Sequence, residues 1–311
     1  DAYKIEGVQR ATKGNIIKVY DKLIKDDVKH VIDDLSVKSE IYGNLIEGEF
    51  ENQKINQLLD DLDNIGGTPS YSFLLYIFSN PDVTDEFRIE ILELLVKYFV
   101  RRMLTDTPPT RDLDKIFIEM ISLYNDNQDN NIQSIVNYLT QPSKYASDEL
   151  FEQKLSGNIY ENNYMATRFI LTKIEESENQ TLEIYSNFWE RNKGGIYIWT
   201  VEHIFPQGIN IPMDWINMVA DGDKELASNY RDEYVHTMGN LTLSGYNQRL
   251  SNLSFKVKRD RKDKKDNYIG FKNGLYLNRE LATLDAWTIE HIKKRTTFLV
   301  EKAKKLFEIA K

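Results

Sequence analysis

The stretch "WTVEHIFPQ", Trp199 to Gln207, places a carboxylate, Glu202, directly before one of only four histidines in 311 residues. Further along, "HTMGNLTLSGYNQRL" brings His236, Asn240 and Asn247. Imidazole is the natural general base near neutral pH. A carboxylate and an amide oxygen are hard ligands for a divalent ion that keeps several waters. The chemistry these types allow is metal-assisted phosphodiester hydrolysis, with His203 deprotonating the attacking water. Neighbours on a regular strand point to opposite faces, so Glu202 and His203 can share a site only where the strand ends or bulges. Pro206 suggests an ending. Plainer roles stand beside these: a satisfied histidine, a salt-bridged Glu202, Asn240 in a turn, Asn247 as a helix cap.

Composition narrows the field. At 41% hydrophobic and 29% charged residues the chain reads as globular, and its length allows two domains. No run of apolar residues is long enough to span a membrane. No cysteine is present, which excludes disulfides, thiolate zinc sites and a cysteine nucleophile and suits a reducing cytoplasm, the expected location. Any metal must then sit on imidazole, carboxylate or amide, which favours Mg²⁺ or Mn²⁺. The net charge of -9 is uneven: the first two-thirds are strongly acidic and the last third is net basic, as a domain that meets a polyanion would be. The chain begins at Asp1, which points to a piece of a longer protein.

The elements that must position these residues follow from periodicity. Apolar residues at steps of three and four predict one long helix through "NIIKVYDKLIKDDVKHVIDDL" and further helices in "FENQKINQLLDDLDNI", "SYSFLLYIF", "DEFRIEILELLVKYFVRRML", "LDKIFIEMISLY", "NIQSIVNYLT" and "YMATRFILTKIEES". "TDTPPTRDL" forces a turn. The pattern changes at Gly194-Gly195: "GIYIWTVEHI" and "GNLTLS" predict two strands, separated by a long polar insert. "YNQRLSNLSFKVKRDRKDKK" predicts one or two basic helices and "AWTIEHIKKRTTFLVEKAKKLFEIA" a closing one. The domain boundary is expected near residue 180. The basic run suggests phosphate contacts, with Arg249, Lys256, Lys258 and Arg259 the candidates, although its interrupting aspartates also fit an ordinary solvated face.

"VEHIFPQ", then "HTMGNLTLSGYNQRLSNLSFKVKR", then "AWTIEHIKKR" resemble, in that order, the C-terminal nuclease domain of GmrSD-type modification-dependent restriction endonucleases, of the HNH (His-Me finger, ββα-metal) superfamily. The resemblance implies a mainly α fold in which helices embed a ββα-metal core, with residues 1–180 a helical connector and 181–311 the nuclease domain. It implies His203 as general base, Glu202 and Asn247 as metal ligands, and Asn240 as the residue that ties down the loop and orients the histidine. His236 matches the family string without an evident role; a phosphate contact is expected of it. DNA is the implied substrate and phage defence the implied setting. A ParB/sulfiredoxin-like nucleotide-binding domain is the implied N-terminal partner, though its D-G-Q-Q-R signature is absent from this chain. Oligomerisation through the helical region is a further expectation. Two other readings stay open: a non-catalytic helical interaction module with a degenerate HNH fold, and an RNA-directed nuclease.

Overall fold

The computed structural model describes residues 14–126, 132–179, 187–245, 250 and 252–310. Among them the chain is mainly α, with one two-stranded antiparallel sheet. It divides into two compact units. One comprises Asp1–Arg102, Asp106–Tyr145 and Ile309–Lys311, and the other Met103–Thr105 and Ala146–Glu308. The helices Asp148–Ser156 and Tyr164–Glu178, which precede the boundary expected near 180, group with the second unit.

The first unit is built from α1 (Ile16–Asp26), α2 (Val28–Glu47), α3 (Gln53–Asn64), α4 (Tyr71–Phe78), most of α5 (Asp85–Thr105), α6 (Thr110–Asp126) and α7 (Ile132–Leu139). The single helix expected at its start is two. Asp27 is extended (φ -157°, ψ 92°), and its carboxylate accepts the His30 backbone N–H at 3.0 Å, capping α2. Phe73, Leu74 and Ile77 of α4 have no exposed surface, and Phe99 of α5 stacks on Phe117 of α6 at 5.8 Å. This is the all-round apolar character that the sequence of α4 shows.

The second unit carries α8 (Asp148–Ser156), α9 (Ile159–Asn162), α10 (Tyr164–Glu178), β1 (Thr200–His203), α11 (Met213–Ala220), α12 (Lys224–Tyr234) and β2 (Leu241–Ser244). A short helix, Phe255–Asp260, and a closing helix, Ile289–Leu306, complete it. The long polar insert forms α11 and α12, the latter capped by Asp223, whose carboxylate accepts the Glu225 and Leu226 N–H groups. β1 is shorter than "GIYIWTVEHI" suggests, because only Thr200–His203 find ladder partners, opposite Ser244–Leu241. Ile204, Phe205, Trp215, Phe255, Phe271, Trp287 and Ile292 form a contiguous apolar core under the sheet end. α10 anchors two loops through buried charges. Arg168 donates to the Trp199 and Phe188 carbonyls, and Glu175 accepts the backbone N–H groups of Tyr276 and Leu277 at 2.8 and 2.9 Å.

Candidate active site

Regular pairing runs to the end of β1, with Glu202 opposite Thr242 and His203 opposite Leu241. Consecutive side chains therefore leave on opposite faces, and each finds its own partner. After His203 the ladder stops: Ile204 N–H donates to the Asn240 carbonyl at 2.9 Å, and the chain turns into the core.

Asn240 acts here as a surrogate strand. Its Oδ1 accepts the Phe205 N–H at 2.8 Å, and its Nδ2 donates to the Phe205 carbonyl at 2.9 Å and to the Val235 carbonyl at 3.0 Å. Trp287 Nε1 donates to the same Oδ1 at 3.3 Å. Asn240 is fully buried, so these bonds replace water for three backbone groups, the Phe205 N–H and the Phe205 and Val235 carbonyls. The tie holds the segment that follows His203.

The turn carrying Asn240, Met238–Asn240, lies against the closing helix. A Cβ on Gly239 would fall 2.1 Å from the Ile292 carbonyl oxygen and 2.6 Å from Thr296 N, so only glycine fits. Gly239 N–H donates to Thr296 Oγ1 at 3.0 Å. Arg295, buried in the same helix, donates to the Gly239 and Leu241 carbonyls at 2.6 and 2.7 Å and to the Leu277 carbonyl at 2.9 Å. These contacts give the "AWTIEHIKKR" string a structural meaning.

Glu202 is buried, and its Oε1 receives a 2.6 Å bond from Lys258 Nζ, which also donates to the His203 carbonyl at 2.7 Å. Lys258 has no exposed surface. It is not the phosphate contact expected from the basic run, because its ammonium is spent inside the fold on a carboxylate and a carbonyl. Burial raises Glu202 and the Lys258 charge opposes that rise; burial lowers Lys258 and the Glu202 charge opposes that fall.

His203 is buried on the other face, its Nε2 3.2 Å from His236 Nδ1. Burial, then the neighbouring His236 and Lys258, push its pKa down to about 3, so the imidazole is neutral across the working range. His236 is half-buried and also lowered, by burial against the charge of Glu161. Tyr160 of α9 packs on both rings, a neighbour that no spacing or motif in the sequence pointed to.

Of the remaining candidates, Lys256 is exposed. The Arg259 guanidinium is engaged by Asp260, Asp285 and the Leu284 carbonyl. Asn247 and Arg249 lie outside the described residues. His291, given no site, caps its helix: its Nδ1 accepts the Thr288 N–H at 3.1 Å. Among the described residues no group of three His, Asp or Glu side chains could hold a metal ion, and the Glu202 carboxylate is engaged by Lys258.

The short antiparallel strand pair thus ends on a buried histidine and is locked by an asparagine and a closing helix. Residues 145–302 match the family model described as GmrSD restriction endonucleases, C-terminal domain, and the chain belongs to that family. No curated protein matches the chain. Among the described residues no helix is long and apolar enough to cross a membrane.

Proposed function

We propose that this chain is the cleavage part of a modification-dependent restriction protein and hydrolyses DNA phosphodiester bonds. The observation that carries the reading is the His203 imidazole, neutral and held at the end of β1 by the Asn240 lock, in a chain of restriction-endonuclease family. His203 takes the proton of the attacking water as general base. Its low proton affinity is a resting property. A phosphodiester arriving beside the ring brings negative charge, which favours the protonated imidazole as the water ionises. Asn240 touches no substrate and serves by positioning. Lys256 is an exposed cation of the basic run and suits a phosphate contact.

Metal dependence, with Mg²⁺ or Mn²⁺, rests on the family resemblance, which names Glu202 and Asn247 as the donors. The first unit serves as the helical connector to an N-terminal nucleotide-binding domain. The test is plasmid cleavage with Mg²⁺, Mn²⁺ or chelator. Wild type nicks or linearises DNA, and His203→Ala lowers the rate by about 10²- to 10⁴-fold; equal rates would sink the assignment. One observation favours a second reading. The Lys258–Glu202 pair closes off the acidic residue that adjoins His203 in sequence, as in a degenerate, non-catalytic DNA-binding fold. Retained DNA binding with no cleavage under any ion would support that, and cleavage confined to RNA in a parallel substrate panel would make the enzyme an RNA nuclease.

A further inference from the structure

The reaction above uses one imidazole, yet two face each other. His203 Nε2 and His236 Nδ1 are 3.2 Å apart, with the rings nearly perpendicular at 76°. Tyr160 holds both. It stacks on His236 at 5.4 Å and 7°, and it meets His203 edge-on at 4.5 Å and 77°. Its backbone N–H donates to the His236 carbonyl at 3.3 Å, so His236 is pinned by ring and by main chain. His236 precedes the same turn that supplies Asn240.

A neutral imidazole carries one proton, so across this contact one ring donates and the other accepts. If His236 donated, the His203 proton would sit on Nδ1. That would leave His203 no lone pair for water, since its Nε2 would be taken by His236 and its Nδ1 by the proton. If His203 donates from Nε2, the contact is satisfied, Nδ1 is bare, and the proton of His236 sits on the Nε2 of a half-exposed ring that water can reach.

We propose that His236 is a positioning residue: it accepts the Nε2–H of His203 and so sets the tautomer in which Nδ1 is the base. The pairing of the two rings stands on geometry; the choice of Nδ1 as the bare nitrogen rests on the nuclease reading.

Four histidines make the ring nitrogens of the full ¹⁵N-histidine-labelled chain assignable by single His→Gln replacements. At neutral pH the wild type shows His203 protonated on Nε2 and bare on Nδ1. His236→Ala gives a mixture of tautomers, and His236→Gln, whose side-chain carbonyl accepts the same hydrogen, restores the single form. A His203 proton on Nδ1 in the wild type, or the same tautomer in His236→Ala, overturns the proposal. In plasmid cleavage, His236→Ala lowers kcat about ten- to hundredfold with KM for DNA unchanged, and His236→Gln recovers part of it. A raised KM at constant kcat makes His236 a DNA contact and overturns the positioning role. If the wild type cleaves no DNA, the nuclease reading fails while the nitrogen spectra still decide the tautomer.

Discussion

At the scale of single residues, buried charge governs behaviour. Lys258→Met strands the Glu202 carboxylate without its counter-charge, and a loss of about 3–5 kcal/mol in urea unfolding is expected. Adding Glu202→Gln returns part of that loss, because the stranded charge goes with it; an unchanged loss would deny the coupling. His203 sets an acid limit. Its native pKa of about 3 lies below the ordinary 6.5 of the unfolded chain, so between those values the unfolded state binds the extra proton. Its contribution is full above pH 6.5 and is lost as pH falls toward 3, amounting to roughly 3–5 kcal/mol. Urea titrations from pH 7.5 to 4 should fall less steeply for His203→Gln than for wild type. The sequence made His203 and Asn240 legible, since "EHIFPQ" and "HTMGNLTL" carry them in order. It hid Lys258, because a lysine in a charged run looks solvated until Glu202, 56 positions earlier, is brought against it.

At the scale of elements, the helices with a clean apolar stripe, such as α3 with Ile55, Leu58, Leu59 and Leu62 buried, fall where their period puts them. What period cannot show is a break decided by one side chain. Asp27 divides the first predicted helix by capping the second half, and Asp27→Ala should cost about 1 kcal/mol in thermal or urea unfolding. Nor does composition reveal that the polar insert is helical, since α12 is held by its cap and a single apolar edge. One tight joint is Gly239 against the closing helix. Gly239→Ala forces a methyl onto backbone atoms that cannot swing aside, and a loss of about 3 kcal/mol is expected by thermal unfolding. Wild-type stability in that variant would mean the joint is looser than its 2.1 Å approach implies.

At the scale of the whole molecule, the basic balance of the last third is less available than its count suggests. Arg259, Lys262, Lys272, Lys302 and Lys304 are each paired with a carboxylate, and Lys258 is buried. DNA binding by this chain should therefore show the salt response of about two neutralised phosphates. That is roughly a tenfold loss of affinity between 50 and 200 mM salt by fluorescence anisotropy, against the steep losses of a heavily cationic surface. The Arg295 clamp carries a different consequence, one of timing. The turn that bears Asn240, and with it the end of β1, is held by carbonyl bonds from a helix made some fifty residues later. A growing chain on the ribosome can pair its two strands but has no Arg295 to lock them. The site is thus assembled last, only after synthesis has passed the helix that closes it.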